Sequence, residues 1–196
     1  MSDERQPAVV LASASPRRSE LLHQIGVAHR VVPADIDESR AAGEAVEDCV
    51  QRLACSKALQ VQQRLAPAAL PVLGADTLVV VDDVMLGKPR DRDDAIRMLQ
   101  RLSGRSHQVL SAVALAAHNG LRHQLSRSVV RFRSLSAQEC AAYWDSGEPQ
   151  GKAGAYAIQG LGAIFIEYLS GSYSGVMGLP LYETAQLLRG AGIALR

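Results

Sequence analysis

The sequence predicts a mixed α/β fold, in which a twisted sheet is flanked by helices. Apolar runs of strand length alternate along the chain with segments of helical periodicity, and no long linker, repeat or low-complexity tract separates them. Asn119-Gly120 is a strong hairpin signal between two long strand-like segments, which adds antiparallel pairs to the crossover units. The length of 196 residues suits one ordinary globular domain, so we expect a single domain over residues 1–196.

Apolar periodicity, caps and turn residues set the individual elements. In the first half they are a strand at 8–11, a helix from Pro16 to about Gly26, a strand at 27–32, an acidic loop at 33–38, a helix from about 45 to 65, a strand at 72–81, an Asp82-Asp83 turn and a strand ending at Leu86. In the second half they are a helix from Asp91 to Leu102 followed by Gly104, two strands flanking Asn119-Gly120, a helix from the capping box at 136–139 to Trp144, a strand at 163–168 and a helix from Pro180 to Leu188.

Composition excludes several classes of protein. The formal net charge of +1 disfavours a binder of duplex nucleic acid. No apolar run has the length of a membrane span and the first residues lack a signal-peptide pattern, so we expect neither a membrane nor a nucleic acid as partner. The three cysteines show no CxxC spacing and are expected to be reduced thiols of a cytosolic protein. HExxH, GxxxxGK[ST] and GxGxxG are all missing from the sequence.

The segment from Ser13 to Arg18 predicts an anion site at the start of the first helix. Ser15 is a suitable N-cap, and Arg17 and Arg18 fall in the first turn, where the helix dipole is already positive. A bound phosphate would resolve this conflict, because backbone N–H groups, serine hydroxyls and guanidiniums would converge on it. The alternative is that both arginines are solvated and slightly unfavourable.

Two charged residues interrupt apolar patterns. Lys57 lies in the apolar stripe of its helix, either as a snorkelling side chain at the edge of the core or as an ammonium directed into a cleft. Asp76 interrupts the strand at 72–81, so it is exposed at a strand end, paired, or beside a metal ion. Gly74 would permit close approach of a backbone or a ligand. Lys88 ends the hairpin that begins at Asp76, and an ion pair between the two is the structural alternative.

The glycine-rich segment at 151–162 can approach a ligand closely, and Gln159 offers both a donor and an acceptor suited to the edge of a base. A flexible turn would explain the same composition. Together, these residues indicate a phosphate-rich ligand held by an arginine-bearing helix start, two lysines and a metal-capable aspartate.

Several blocks of the chain resemble the Maf (septum-formation-inhibitor-like) nucleoside triphosphate pyrophosphatases. Agreement runs from about Val9 to Leu188, in the right order and at compatible spacing. The matching blocks are SASPRRSELL at 13–22, GADT at 74–77, GKP at 87–89, LSGRSH at 102–107, KAGAY at 152–156 and IQG at 158–160. The resemblance implies an α/β fold similar to that of inosine triphosphate pyrophosphatases. It also implies hydrolysis of a nucleoside triphosphate to the monophosphate and pyrophosphate.

The resemblance further implies roles for particular residues. The family's triphosphate-binding serine and arginines fall on Ser13, Arg17 and Arg18. Its lysines fall on Lys57 and Lys88, which are implied to be catalytic. The family's general base falls on Asp76 and its acidic loop residue on Glu38. These two carboxylates would also hold a divalent ion, Mg²⁺ or Mn²⁺, which would neutralise the phosphates. The resemblance implies a cytoplasmic location and allows a homodimer.

The residues at Arg17, Thr77 and Gln159 agree with the branch of this family that acts on dTTP and UTP. The branch acting on 7-methyl-GTP typically carries Trp in place of Arg17. Ala14 and Ala157 depart from the family pattern, which more often has Gly or Thr at the first position and Gly at the second. The alternative function is a non-enzymatic nucleotide-binding regulator of cell division, for which the same anion site would serve.

Overall fold

A computed structural model describes residues 6–65 and 70–195. The strands are β1 (Val9–Leu11), β2 (His29–Val31), β3 (Val72–Val81), β4 (Val84–Leu86), β5 (Ser106–Ala117), β6 (Gly120–Phe132) and β7 (Ile166–Ser170). The helices are α1 (Pro16–Gln24), α2 (Val46–Arg64), α3 (Arg92–Leu102), α4 (Ala137–Asp145), α5 (Tyr173–Met177) and α6 (Leu181–Gly190). Two short 3₁₀ segments, Ala153–Ala155 and Leu161–Phe165, lie between α4 and β7.

The strands form a mixed sheet of seven, in the order β2-β1-β3-β5-β6-β7, with β4 paired to β3. β1 runs parallel to both β2 and β3, with Leu11 opposite Val31 on one side and Leu73 on the other. The β3–β4 and β6–β7 pairs are antiparallel. The predicted mixed α/β fold is therefore confirmed.

The chain divides into two compact units. Unit 1 comprises Met1–Asp76, Ser111–Ser126 and Gly178–Arg196, and unit 2 comprises Thr77–Leu110 and Arg127–Met177. The expectation of a single domain over 1–196 stays a prediction.

The core of unit 1 includes β1, the first part of β3 and the apolar stripe of α2. Every residue of β1 is buried, because a parallel strand between two neighbours has both faces covered. The stripe of α2 is the predicted one, since Val50, Leu53, Ala54, Ala58 and Val61 are all buried. Lys57 lies in this stripe and is itself buried.

An aromatic cluster occupies the core of unit 2. The ring of Phe132 on β6 meets the rings of His107, Tyr156 and Phe165 edge-on, with centroids 5.0, 4.9 and 6.0 Å away. Tyr143 on α4 packs against Phe165 at 4.9 Å in the same manner. Such edge-to-face contacts add to the free energy gained by burying the rings.

Several predicted boundaries agree closely with the structure. The turn between β5 and β6 covers His118 and Asn119, one residue before the predicted Asn119-Gly120, because Gly120 already begins β6. Asp82 and Asp83 both adopt positive φ in the β3–β4 turn. The Ser136 and Glu139 capping box at the start of α4 is present in both directions. Cys49, Cys55 and Cys140 carry free thiols.

The segment after residue 160 differs from the prediction. The strand expected at 163–168 begins at Ile166, because the preceding Leu161–Phe165 forms a 3₁₀ helix. The short helix α5 was not predicted. No helix in the described ranges is long and apolar enough to cross a membrane.

Candidate active site

The loop between β1 and α1 places a serine hydroxyl beside a guanidinium. Ser13 is 7% exposed, and its Oγ accepts hydrogen bonds from the Ser15 backbone N–H at 3.2 Å and from Arg18 Nη1 at 3.0 Å. Ser15 is the N-cap residue, as predicted, but its own side chain makes no capping hydrogen bond. The structure therefore brings Ser13 and Arg18 together, and Ser13 supplies the hydroxyl that organises the loop.

Arg18 is held at a second point by the backbone of Gly178, whose carbonyl accepts from Nε at 2.8 Å. Burial lowers the pKa of Arg18, and the carboxylates of Asp76 and Glu38 act in the opposite direction. Burial likewise lowers the pKa of Arg17, against the attraction of Glu20. Because a guanidinium keeps its proton even so, two partly buried cations stand at a helix start and favour an anion there.

Lys57 on α2 forms ion pairs with two carboxylates. Its Nζ lies 2.6 Å from Oδ1 of Asp76 and 2.6 Å from Oε1 of Glu38. The side chains of Lys57 and Asp76 are 9% and 10% exposed, whereas that of Glu38 is 49% exposed. Lys57 is therefore a nearly buried, ion-paired ammonium rather than a snorkelling side chain, and its direction into a cleft stays a prediction. The partner that the structure shows for Asp76 is Lys57, and the Asp76–Lys88 pair stays a prediction.

Gly74 explains how α2 comes so close to β3. A Cβ at this position would lie 2.3 Å from the Ala54 carbonyl oxygen and 2.7 Å from the Ala58 backbone nitrogen, both in α2. Side chains two residues apart on a strand share a face, so Gly74 and Asp76 both face this helix. The close approach anticipated at Gly74 is therefore that of a backbone, and it brings Asp76 within reach of Lys57.

The loop that carries Glu38 is fastened along α2. Arg52 donates from Nε to Glu44 Oε1 at 2.6 Å, from Nη2 to Glu44 Oε2 at 2.8 Å, and from Nη2 to the Ser39 carbonyl at 3.0 Å. Gln60 exchanges hydrogen bonds with both backbone groups of Asp35. The Arg52 and Glu44 pair was not among the predicted site residues. The local sequence pattern does not indicate this pair, because the contact forms only when the loop folds back against α2.

The remaining predicted site residues, Thr77, Lys88 and Gln159, belong to unit 2. Lys88 follows β4 and is exposed, and the carbonyl of the preceding Gly87 accepts from the Gly154 backbone N–H at 3.0 Å. Thr77 is half-buried and Gln159 is exposed. The contact between Gly87 and Gly154 holds the glycine-rich segment beside the residue that follows Gly87, namely Lys88.

The glycine-rich segment has a strained backbone at one residue, Ala155. Gly154 and the following Ala155 have φ of 69° and 59°, and a non-glycine residue in this region costs about 1–2 kcal/mol. A Cβ on Gly154 would also lie 3.0 Å from Cγ1 of Val79. Such strain is concentrated at functional sites, where the surrounding structure holds it in place.

Within the described part of the chain, no cluster of three or more His, Cys, Asp or Glu side chains could hold a metal ion. Glu38 and Asp76 nevertheless converge on one cation, the Lys57 ammonium. Mg²⁺ in phosphate-handling sites is commonly held by one or two carboxylates together with substrate oxygens. The two carboxylates therefore fit an ion shared with a ligand, and do not fit an ion enclosed by protein alone.

The α/β fold places two arginines at a helix start, together with a buried lysine and two carboxylates. This combination is typical of proteins that bind phosphate-containing anions. Comparison with known families makes this class specific. The chain belongs to the family of Maf-like proteins, whose sequence model matches residues 8–191.

Curated relatives cover nearly the whole chain. A protein of Bordetella parapertussis named "dTTP/UTP pyrophosphatase" is 55% identical in an alignment that covers 96% of this chain and 95% of that protein. A protein of Methylobacillus flagellatus with the same name is 52% identical over 98% of this chain and 97% of its own length. A third protein with this name, from Methylococcus capsulatus, is 52% identical over 94% of this chain and 91% of its own length.

Proposed function

We propose that this chain hydrolyses dTTP and UTP to the nucleoside monophosphates and pyrophosphate. The observation that carries the proposal is the identity of 52–55%, over nearly the full length, to relatives named for this activity. Arg17 and Arg18 support it, because guanidiniums in the first turn of a helix can donate charge-assisted hydrogen bonds to the oxygens of a triphosphate.

In this proposal, the residues at the start of α1 bind the phosphate chain. Arg18 is oriented by Ser13 and by the Gly178 carbonyl, so its guanidinium is presented in one direction before substrate arrives. Pre-orientation of this kind lowers the entropic cost of binding. Arg17 and Lys88 supply further positive charge for the phosphates.

Asp76 acts as the general base. It accepts a proton from the attacking water as the water oxygen bonds to the α-phosphorus, and the bond from that phosphorus to the bridging oxygen breaks to release pyrophosphate. The hydrogen bond from Lys57 to Oδ1 of Asp76 holds the carboxylate in one orientation. Lys57 also places positive charge next to the developing negative charge.

Glu38 and Asp76 would hold the divalent ion, Mg²⁺ or Mn²⁺. When bound, the ion supplies charge neutralisation at the phosphate oxygens. The half-exposed Glu38 would have to exchange its contact with the Lys57 ammonium for the ion.

Thr77 and Gln159 recognise the base in this proposal. The primary amide of Gln159 offers a donor and an acceptor, which match the carbonyl and N–H groups of thymine and uracil. The reaction takes place in the cytoplasm, which the three free thiols support, and the chain can act as a homodimer.

Product analysis tests the proposal. The protein is incubated with dTTP, UTP, 7-methyl-GTP and dGTP in Mg²⁺, and products are separated by ion-exchange chromatography. We expect monophosphate and pyrophosphate in equal amounts, from dTTP and UTP fastest, and their loss with a metal chelator. Release of orthophosphate would overturn the proposal. Nucleotide binding without any product would instead support the regulatory alternative.

A further inference from the structure

A tyrosine and a glutamate enclose the turn that carries Gln159. The Tyr143 hydroxyl accepts from the Ala157 backbone N–H at 3.1 Å, two residues before Gln159. Glu148 accepts from the backbone N–H groups of Leu161 at 2.9 Å and Gly162 at 3.0 Å, just after Gln159. Tyr143 itself donates to Oε1 of Glu148 at 2.6 Å. One hydrogen-bonded pair therefore holds both sides of the turn.

The glycines of the turn make room for this pair. A Cβ on Gly160 would lie 2.1 Å from Oε2 of Glu148, and a Cβ on Gly162 would lie 2.6 Å from the Tyr143 hydroxyl. Gly160 has φ of −112°, which any residue can adopt, so the need for glycine there is one of space. At Gly160 and Gly162, glycine is therefore required by the space that the Glu148 carboxylate and the Tyr143 hydroxyl occupy. Gly151 and Gly154 have positive φ and match the turn interpretation.

The pair is itself rigid. Tyr143 is 5% exposed, and its ring packs edge-on against Phe165 at 4.9 Å. Burial tends to raise the pKa of Glu148, but the hydrogen bonds from Tyr143, Gly162 and Leu161 outweigh it and lower that pKa. The carboxylate is therefore ionised at neutral pH and can accept all three hydrogen bonds.

We propose that Tyr143 and Glu148 are positioning residues that fix Gln159 and thereby set the choice among nucleobases. This inference rests on the proposed function. Thymine and uracil present a carbonyl oxygen and an N–H where cytosine presents an amino group and an unprotonated nitrogen. The pair holds the backbone from which the Gln159 side chain extends. An amide on a displaced backbone would no longer meet the base edge in the geometry that favours one pattern over the other.

Kinetic selectivity tests the inference. The variants Tyr143→Phe and Glu148→Gln are compared with the wild type by kcat/KM for dTTP, UTP and CTP. Phe keeps the ring and removes only the hydroxyl. Gln places a donor where one backbone N–H needs an acceptor. We expect the preference for dTTP over CTP to fall by about tenfold in each variant, mainly through KM, which corresponds to one hydrogen bond lost at the base.

The matched control is Ser136→Ala. It removes the capping box at the other end of α4 and destabilises that helix without touching the turn. If selectivity reflects helix stability alone, this control will lower the dTTP preference as much as Tyr143→Phe does, and the inference is overturned. An unchanged preference in both Tyr143→Phe and Glu148→Gln overturns it as well.

Gly160→Ala provides a second measurement. Its Cβ must displace the Glu148 carboxylate, so we expect the same loss of selectivity as in Glu148→Gln. In a Glu148→Ala background, Gly160→Ala should cause little further change, because the obstructing carboxylate is gone. Full additivity of the two changes would contradict the inference.

The inference about Tyr143 and Glu148 can be tested even if the proposed function is wrong. If the wild type released no pyrophosphate from any triphosphate, that function would be wrong. The affinities for dTMP and CMP, measured by calorimetry, would then report the base preference without turnover. A dTMP preference that falls in Tyr143→Phe and Glu148→Gln, but not in Ser136→Ala, supports the inference on binding alone, and an unchanged one overturns it.

Discussion

The Nζ atom of Lys57 lies 2.6 Å from Oδ1 of Asp76, and both side chains are nearly buried. Removing such a pair from water costs free energy that its mutual attraction does not reliably return. A stability role alone is therefore a weak explanation for placing it among the apolar residues of α2 and β3. The exposed side of Lys57 meets a second carboxylate, Glu38, so the pair connects the core to the acidic loop.

Asp76→Asn should nearly abolish turnover and leave the fold intact. Loss of a positioned general base lowers the rate by about a hundred- to ten-thousand-fold. Initial rates of pyrophosphate release from dTTP measure this, with circular dichroism as the control for folding. A folded Asp76→Asn protein that keeps most of its activity would show that Asp76 is not the base.

Lys57→Met should destabilise the protein by about 3 kcal/mol, because it leaves the nearly buried Asp76 carboxylate without its hydrogen-bonded cation. The double variant Lys57→Met/Asp76→Asn should recover most of that loss, since no buried charge remains. Urea unfolding of the wild type, both single variants and the double variant gives the coupling free energy. Additive effects would mean that the two residues do not interact as the structure shows.

Gly74→Ala should lower both stability and activity. The added Cβ meets backbone atoms of α2 at 2.3 and 2.7 Å, so the helix must move away from β3. Overpacking of this kind costs about 1–3 kcal/mol, and the Lys57–Asp76 distance should lengthen with it. Gly190→Ala is the control, because its Cβ would meet only the flexible end of Arg122 at 3.3 Å. Equal effects of both changes on thermal unfolding and on rate would refute the argument from close packing.

Arg52→Gln should loosen the loop that carries Glu38. Hydrogen bonds from Arg52 lower the pKa of Glu44 to about 2, so the pair persists throughout the neutral range. We expect faster proteolysis in residues 39–43 and an increase of about tenfold or more in the Mg²⁺ concentration for half-maximal activity, as for other residues that orient metal ligands. Arg97→Gln, which breaks an exposed contact with Asp94 in unit 2, should change neither. An unaltered Mg²⁺ requirement in Arg52→Gln would speak against the role of the loop.

Stability should fall in mild acid because of His107. Its Nε2 lies 2.8 Å from the Tyr156 hydroxyl, and its buried Nδ1 has no hydrogen-bond partner among the described residues. Burial lowers the pKa of His107 to about 4 in the folded protein, whereas the unfolded chain takes up the proton near the ordinary pKa of about 6.5.

The unfolded state therefore binds more protons below pH 6.5, and His107 should remove about 2 kcal/mol of stability between pH 8 and pH 5. Urea unfolding at the two pH values measures the change. His107→Gln should show a shallower dependence on pH, whatever its absolute stability. An equal dependence in the variant would mean that His107 titrates normally in the folded state.

The apolar pattern predicted α2 and β3 almost to the residue, and it marked Lys57 and Asp76 as charges in the wrong place. The hairpin between β5 and β6, to within one residue, and the capping box at Ser136 were also predicted correctly, because turn and cap chemistry depend on a few adjacent residues. The predicted start of β7 was wrong, because the apolar residues in the segment 161–165 also fit a strand. Backbone hydrogen bonds to Glu148 hold the start of that segment, where the chain is helical instead.

The sequence by itself determined the type of nearly every element, the family, and the residues whose charge conflicts with their local pattern. Only the tertiary structure decided the partners: Asp76 and Glu38 for Lys57, Arg52 for Glu44, and Tyr143 with Glu148 around Gln159. Periodicity and caps are set within a few neighbouring residues and can be read locally. A contact between residues far apart in the chain depends on how closely a helix or loop approaches, as Gly74 and Gly160 show.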